Sequence, residues 1–357
     1  MHSPFLINLA FLSQKPTGLT TYAQNLFPHL LPLQPTLLAE KEISQFRHYP
    51  VPIDLNSDYG AKGHLRRLIW SQFQLPQIYR RLNSNLIFSP IPEAPLFSRC
   101  RFVVTVHDLI PLRFGKRSSR LSTYFRYYVP QVLKQAQHII TNSESTACEI
   151  MEFFDIPIKK ITPILLAYDA ANFRYLNLPT ENYFLYLGRP DRHKNLDRLI
   201  AAFASLPNRQ DYQLYLAGSV DDRYTPALKV QIAELGIEAQ VKFLDYVPYS
   251  ELSSLINRSI ALVFPSLWEG FGLPALEAMA CGTPVITSNL AALPEVTGNA
   301  AILIDPYNVQ EISSAMQAVA SSGEIRSKLS VAGLARAQQF SWETTGKQTA
   351  EVLANYI

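Results

Sequence analysis

Two glutamates eight positions apart, Glu269 and Glu277, bracket the run Gly270-Phe271-Gly272-Leu273-Pro274. Paired carboxylates can divide general-acid and general-base work, or flank the anomeric carbon of a sugar. The residues between them suit an anion instead. Leu262-Val263-Phe264 reads as the end of a buried strand, Ser266 to Leu273 as a loop, and Pro274 as the first residue of a helix ending near Gly282. A strand that opens through such a loop into a helix start offers backbone N–H groups and the positive end of the helix dipole. A second junction of this kind carries cations. Arg189 follows the apolar run Tyr183–Leu187 and Gly188, and Lys194 stands just before Leu196, Leu199, Ile200 and Phe203. A planar guanidinium fork and a flexible ammonium suit a pyrophosphate. A third candidate, His107, is followed by Asp108 and closes the β-branched run Phe102–Val106, at the end of a strand where open α/β sheets bind ligands.

Placing these residues requires strands that end at one edge of a parallel sheet and helices that return the chain. Phe5 to Leu12 reads as the first strand, Lys15-Pro16-Thr17-Gly18 as a turn, and Leu19, Tyr22, Ala23, Leu26, Phe27 and Leu30 as one helix face. Leu31 to Lys62 is Pro-rich and irregular except for a short strand at Thr36–Ala39. Arg66 to Arg81 predicts a helix split at Pro76. Strands follow at Leu86–Phe88, Phe102–Val106, His138–Thr141 and Ile161–Leu166, and Ser143 is placed to cap a helix. Ala170 to Glu181 lacks periodicity and reads as a linker. Beyond it, Tyr183–Leu187, Tyr212–Ala217, Val241–Pro248, Ile260–Phe264, Val285–Thr287 and Ala301–Pro306 repeat the strand-and-helix alternation, and a helix capped by Ser341 closes the chain. The class is α/β, and 357 residues exceed what one core usually holds, so two domains are expected.

Taken together, Pro265, Ser266, Glu269 to Pro274, Leu276-Glu277-Ala278-Met279-Ala280-Cys281-Gly282 and Pro284-Val285-Ile286 closely resemble the signature of the retaining "group 1" glycosyltransferases. His107, Asp108 and Pro111 resemble that family's T-x-H-D-x-x-P block, and Ser143-Glu144 its S-E element. The resemblance implies the GT-B architecture: two Rossmann-like domains facing across a cleft, residues 1–170 binding acceptor and 171–340 binding a nucleotide sugar, with 341–357 a helix crossing back to the first domain. It implies that Lys194 and Arg189 neutralise the leaving diphosphate, with Gly188 and the backbone of Gly270, Phe271, Gly272 and Leu273 in the donor site. Glu277, in the first helical turn, would take ribose hydroxyls, and Glu269 would point to the donor sugar. His107 would approach the sugar, and the backbone at Tyr246 and Val247 the nucleobase. Gly18 would admit donor phosphates or acceptor, although glycine also suits a plain strand-to-helix turn. Two departures stand out: Asp245 replaces a familiar glycine, and His193 lies where an Arg is frequent.

On this reading a hexose, with mannose favoured, passes with retention from a GDP- or UDP-linked donor to a glycan or lipid-linked acceptor of cell-surface polysaccharide or glycolipid. The leaving phosphate takes the acceptor's proton, and the two glutamates position the donor rather than acting as an acid/base pair. No D-x-D occurs, so neither metal nor cofactor is expected. Alternatives are a GT-B-fold epimerase or phosphorylase, or a non-catalytic sugar-binding subunit. No early strand is followed by G-x-G-x-x-G, which disfavours a nicotinamide dehydrogenase.

Composition adds limits. Apolar residues form 48% of the chain and charged ones 17%, which excludes disorder. The net charge of +3 hides an asymmetry: residues 1–170 hold 18 Lys and Arg against 11 Asp and Glu, the remainder 14 against 18. No nucleic-acid partner is expected. Three well-separated cysteines, Cys100, Cys148 and Cys281, point to a reducing cytoplasm. No apolar run reaches the roughly 18 residues of a membrane span, so any contact with the inner face of the plasma membrane is peripheral. Arg113, Lys116, Arg117, Arg120 and Arg126 fall among Phe114, Tyr124, Phe125, Tyr127 and Tyr128. That pattern fits an anionic membrane or acidic acceptor, and equally a solvated helix face with its aromatic side in the core.

Overall fold

Among the described residues thirteen strands form, each parallel to its neighbours, most of them from short apolar segments with β-branched and aromatic residues. The computed structural model describes residues 5–13, 18–116 and 118–357, so Lys15, Pro16, Thr17 and Arg117 lie outside the described residues. Two units form, Met1–Leu166 with Ser341–Ile357, and Ala167–Phe340.

In the first unit, β1 (Phe5–Asn8), β2 (Thr36–Ala39), β3 (Arg47–Pro50), β4 (Leu86–Ser89), β5 (Phe102–Val106), β6 (His138–Thr141) and β7 (Ile161–Pro163) are ordered β3-β2-β1-β4-β5-β6-β7. Helices cover both faces, which explains the continuous apolar runs of β1, β4 and β5. Strand β3 escapes sequence reading. Its residues Arg47-His48-Tyr49-Pro50 are half exposed at the sheet edge, where backbone pairing with β2 suffices and Pro50 is tolerated. Strand β1 stops at Asn8, well before Leu12, because the Asn8 side chain accepts from the Ala10 N–H and turns the chain. Strand β7 likewise stops at Pro163 instead of Leu166. The split helix is present as Gly60–Phe73 and Leu75–Arg81, with Pro76 in the first turn of the second piece. The closing helix Trp342–Ala354 belongs to this unit. Ser341 caps it, Thr345 Oγ1 donates to the Leu165 carbonyl at 2.7 Å, and Gly346 lies so close to His29 that a Cβ there would come within 2.2 Å.

The second unit contains β8 (Tyr183–Leu187), β9 (Gln213–Ala217), β10 (Val241–Phe243), β11 (Ala261–Phe264), β12 (Val285–Ser288) and β13 (Ile302–Ile304), in the order β10-β9-β8-β11-β12-β13. The chain order reverses between β8 and β11. Crevices outside the carboxyl ends of strands at such a reversal are where doubly wound sheets bind ligands. The division falls between Leu166 and Ala167 rather than after Ala170. Asp169 explains this, since it caps the N–H groups of Ala171 and Asn172 and accepts from the Tyr249 hydroxyl, all in the second unit.

Candidate active site

The loop after β8 and the loop after β11 meet at the reversal point of the second sheet. Lys194 Nζ donates to Glu269 Oε1 at 2.6 Å, with the two side chains only 17% and 10% exposed, and the ammonium stands 5.2 Å above the Phe264 ring. Glu269 occupies one of the three ammonium hydrogens, leaving two directions for an incoming anion. Asn195 ties the loops together. It sits at φ +63°, is buried, and its amide donates to the carbonyls of Pro265 at 3.0 Å and Pro306 at 2.7 Å. The Leu267 N–H donates to the His193 carbonyl at 2.7 Å. Beside this pair the helix Leu273–Ala280 begins at Gly272, whose φ of +108° favours glycine and whose Cβ would also have to displace the Leu293 side chain, 2.6 Å away. Pro274 has no N–H, and the amides of Ala275 and Leu276 both bond the Gly272 carbonyl, so the donor that the first turn presents is the Leu273 amide. At the other end the N–H groups of Gly282 and Thr283 bond the carbonyls of Met279 and Ala278, the double closure expected of a glycine cap.

In the first unit His107 stands where β5 ends. Its Nε2 lies 2.9 Å from the Pro90 carbonyl, and its ring meets Tyr22 edge-on at 4.7 Å. A carbonyl only accepts, so Nε2 carries the hydrogen and Nδ1 the lone pair. Burial pushes the imidazole pKa down to about 4, which keeps the ring neutral at pH 7.

Residues 169–336 match the family model described as Glycosyl transferases group 1, and residues 16–171 match Glycosyltransferase Family 4. The O-antigen chain mannosyltransferase B of Escherichia coli is 33% identical over 267 residues, covering 70% of this chain and 69% of that protein. The chain belongs to the group 1 glycosyltransferases. A second relative, the O-antigen chain mannosyltransferase RfbU of Salmonella typhimurium, is 29% identical over 265 residues and covers 73% of each chain. Among solved structures, a sucrose-phosphate synthase from Thermosynechococcus elongatus superposes with a TM-score of 0.77 at 20% identity, covering 99% of each chain. The fold is therefore the GT-B pair of Rossmann-like units.

This glycosyltransferase brings together some of the residues its sequence singles out and separates others. Lys194, Glu269 and the Gly270–Leu273 loop converge. Arg189 does not join them: it is 68% exposed and pairs with Asp191 at 3.2 Å, an acceptor only two residues away. Gly188 leaves β8 against Gly218, where a Cβ would lie 2.1 Å from the Gly188 carbonyl. Burial, reinforced by Lys194, holds the His193 imidazole below its usual pKa, so the position where an Arg is frequent carries a neutral ring here. Tyr246 is exposed and Val247 half-buried just beyond β10. The Phe271 side chain is buried edge-on to Phe340, so only its backbone is available to a ligand. Gly18 begins the helix Gly18–Leu26, with open space where a Cβ would lie.

Glu277 requires a correction. The helix starts at Leu273, so Glu277 is its fifth residue and lies past the first turn. Burial, and then the nearby Asp169 carboxylate, push its pKa up to about 7. Tyr249 donates to Asp169 Oδ2 at 3.2 Å, and burial together with both carboxylates raises its phenol pKa. The two glutamates thus have different partners, Lys194 for Glu269 and the Asp169–Tyr249 corner for Glu277.

Sequence reading misses the buried pair Arg67–Glu93, 26 positions apart and in no motif. Arg67 grips Glu93 with two bonds of 2.7 and 2.9 Å and donates to the Leu55 carbonyl at 3.0 Å. Tyr124 and Tyr128 donate to the carbonyls of Pro92 and Ala94 at 3.1 and 2.9 Å. The loop that offers the Pro90 carbonyl to His107 is thereby held at several points. Within the basic-aromatic stretch part of the aromatic side faces inward, while Tyr127 stays exposed. Tyr124, Phe125 and Tyr128 pack against the core, and Arg113 pairs with Glu149 and Glu152.

Proposed function

We propose that this glycosyltransferase moves mannose, with retention, from a GDP- or UDP-linked sugar to a glycan or lipid-linked acceptor in cell-surface polysaccharide synthesis at the cytoplasmic face of the membrane. The carrying observation is the ammonium of Lys194, one of whose three hydrogens meets Glu269, beside the Gly272 helix start, where a leaving diphosphate would meet fixed positive charge. The two mannosyltransferase relatives support the sugar. In the proposed step the sugar–phosphate bond breaks, the acceptor oxygen attacks the same face, and its proton passes to the departing phosphate. Glu269 orients Lys194 and the sugar. Side-chain and backbone donors are proposed to meet the phosphates in place of a metal, in keeping with the absence of D-x-D from the sequence. In the first unit, the His107 Nδ1 is a neutral acceptor of the kind that suits a sugar hydroxyl.

The expected product of incubation with GDP-mannose, or with a UDP-sugar, keeps the donor's α configuration at the anomeric carbon by proton NMR. An inverted product, or no transfer from any nucleotide sugar, overturns the reading. Glu277 supplies a pH test. Free protein holds a proton on this carboxyl below about pH 7, and ribose hydroxyls donate to the ionised form, so binding releases that proton. Nucleoside diphosphate affinity is expected to rise about tenfold from about pH 6 to about pH 8, the span over which a group with pKa about 7 ionises. The Glu277→Gln protein should be flat over that range in calorimetry. An equal slope in both proteins rules out this role.

A further inference from the structure

A histidine ring turns readily about its last side-chain bond, because rotation at that linkage is broad and roughly two-fold. The hydrogen bond from His107 Nε2 to the Pro90 carbonyl fixes one atom of the ring and by itself leaves the rest able to pivot about that contact. Tyr22, on the helix Gly18–Leu26, closes off the pivot. Its ring stands at 78° to the imidazole with the centroids 4.7 Å apart. Tyr22 is buried, and its hydroxyl lies 3.2 Å from Thr105 Oγ1. Thr105, on β5, stands two residues before His107, so the tip and the ring of the tyrosine are both set against the one segment that carries the histidine. Trp342, the first residue of the closing helix, adds a second wall, its ring tilted 52° to that of Tyr22 at 6.3 Å. Three segments distant in the chain thus bear on one imidazole.

Packing alone does not call for a tyrosine here, since Leu26 fills a buried position on the same helix. What Tyr22 adds is a flat wall with an anchored tip. We propose that Tyr22 is a positioning residue for the transfer step: its ring, seated by Thr105 and Trp342, holds the His107 imidazole in the orientation that presents Nδ1 to the sugar. The inference rests on His107 as a sugar-facing group and adds the group that aims it. The surroundings of the ring are uncharged at close range. Asp108, next in the chain, turns Oδ1 to the Ile110 N–H, and exposed Glu144 begins the helix whose Thr146 meets the His107 carbonyl at 3.5 Å. Among the described residues, Tyr22 is the titratable side chain packed on the imidazole, and burial raises its phenol pKa and keeps it neutral. Burial likewise sets the low pKa of His107, about 4, against the opposing effect of the Pro90 carbonyl.

Steady-state kinetics and histidine NMR of the full chain test this. Tyr22→Leu, which stays apolar but offers no wall, is expected to lower kcat about tenfold at unchanged KM for the nucleotide sugar. Tyr22→Phe keeps the ring and should stay within about threefold of the parent. Loss of the wall also lets water reach the imidazole. In two-bond proton–nitrogen spectra His107 should then titrate nearer the usual histidine value in Tyr22→Leu than in the parent or Tyr22→Phe. The acid limb of the kcat profile should move up with it, because a protonated ring cannot accept at Nδ1. His107→Ala tells two failures apart. If it leaves kcat intact, His107 has no part in transfer, and both that reading and the role of Tyr22 fall. If it lowers kcat while Tyr22→Leu keeps the parental kcat and histidine titration, Tyr22 only fills the core and the proposal is overturned. A loss in Tyr22→Phe as large as in Tyr22→Leu would overturn it too, since the ring would then not be the acting part. Should Tyr22→Leu melt early, Tyr22→Met replaces it, with the same signature expected.

Discussion

Lys194→Ala is expected to lower turnover at least about tenfold, a loss of about 1.4 kcal/mol of transition-state stabilisation. Two consequences of the same contact lead there. The ammonium is the cation fixed at the meeting point of the two loops, and its removal leaves a developing diphosphate charge without that partner. It also leaves the Glu269 carboxylate, 10% exposed, without its counter-charge. The second effect confuses stability with catalysis unless the two are separated. Lys194→Ala combined with Glu269→Gln removes the uncompensated charge. The double variant should therefore recover much of the melting temperature lost by the single one while turnover stays low. Steady-state kinetics beside thermal melts make the comparison, and near-wild-type turnover in Lys194→Ala would remove this residue from the chemistry.

Arg67→Ala should be the most destabilising substitution among the charged residues of the first unit. Glu93 is 1% exposed and takes both bonds of the guanidinium, so deleting Arg67 leaves a buried carboxylate with only the longer contacts to His64 at 3.6 Å and the Tyr124 hydroxyl at 3.5 Å, and frees the Leu55 carbonyl. Breaking such a pair costs about 3–5 kcal/mol, and in a unit of this size the melting temperature should fall by about 10 °C. Arg67→Lys should recover little, because an ammonium cannot reproduce the two-pronged grip. Calorimetric melts of both proteins test this, and a fall of less than about 2 °C for Arg67→Ala would show that other contacts hold the loop.

What could be read from the sequence follows the range of the forces involved. Strands buried on both faces announce themselves through composition, and those centred on Leu185, Val104 and Val263 are found where expected. Strand β3 could not be found this way, because an edge strand needs only a neighbour's backbone and Arg47-His48-Tyr49-Pro50 has no apolar pattern. Lys194 and Glu269 were legible because each stands at its own strand-to-helix junction in a recognisable motif, although their direct bond was not. Counting the helix from Pro274 instead of Leu273 was enough to misplace Glu277 by part of a turn. Arg189 and Arg67 show the other limit. A side chain's direction depends on which acceptor wins, Asp191 in one case and Glu93 in the other, and neither competition leaves a trace in spacing.

Asn195 has a broader meaning than its two hydrogen bonds. By linking the segments that follow β8, β11 and β13, it makes three loops from distant parts of the chain into one mechanical piece. A change of length in any one is transmitted to the other two. Tyr246, exposed beyond β10, lies outside this floor, and the residue before it is anchored separately, through the Asp245 carbonyl and the Gly218 N–H.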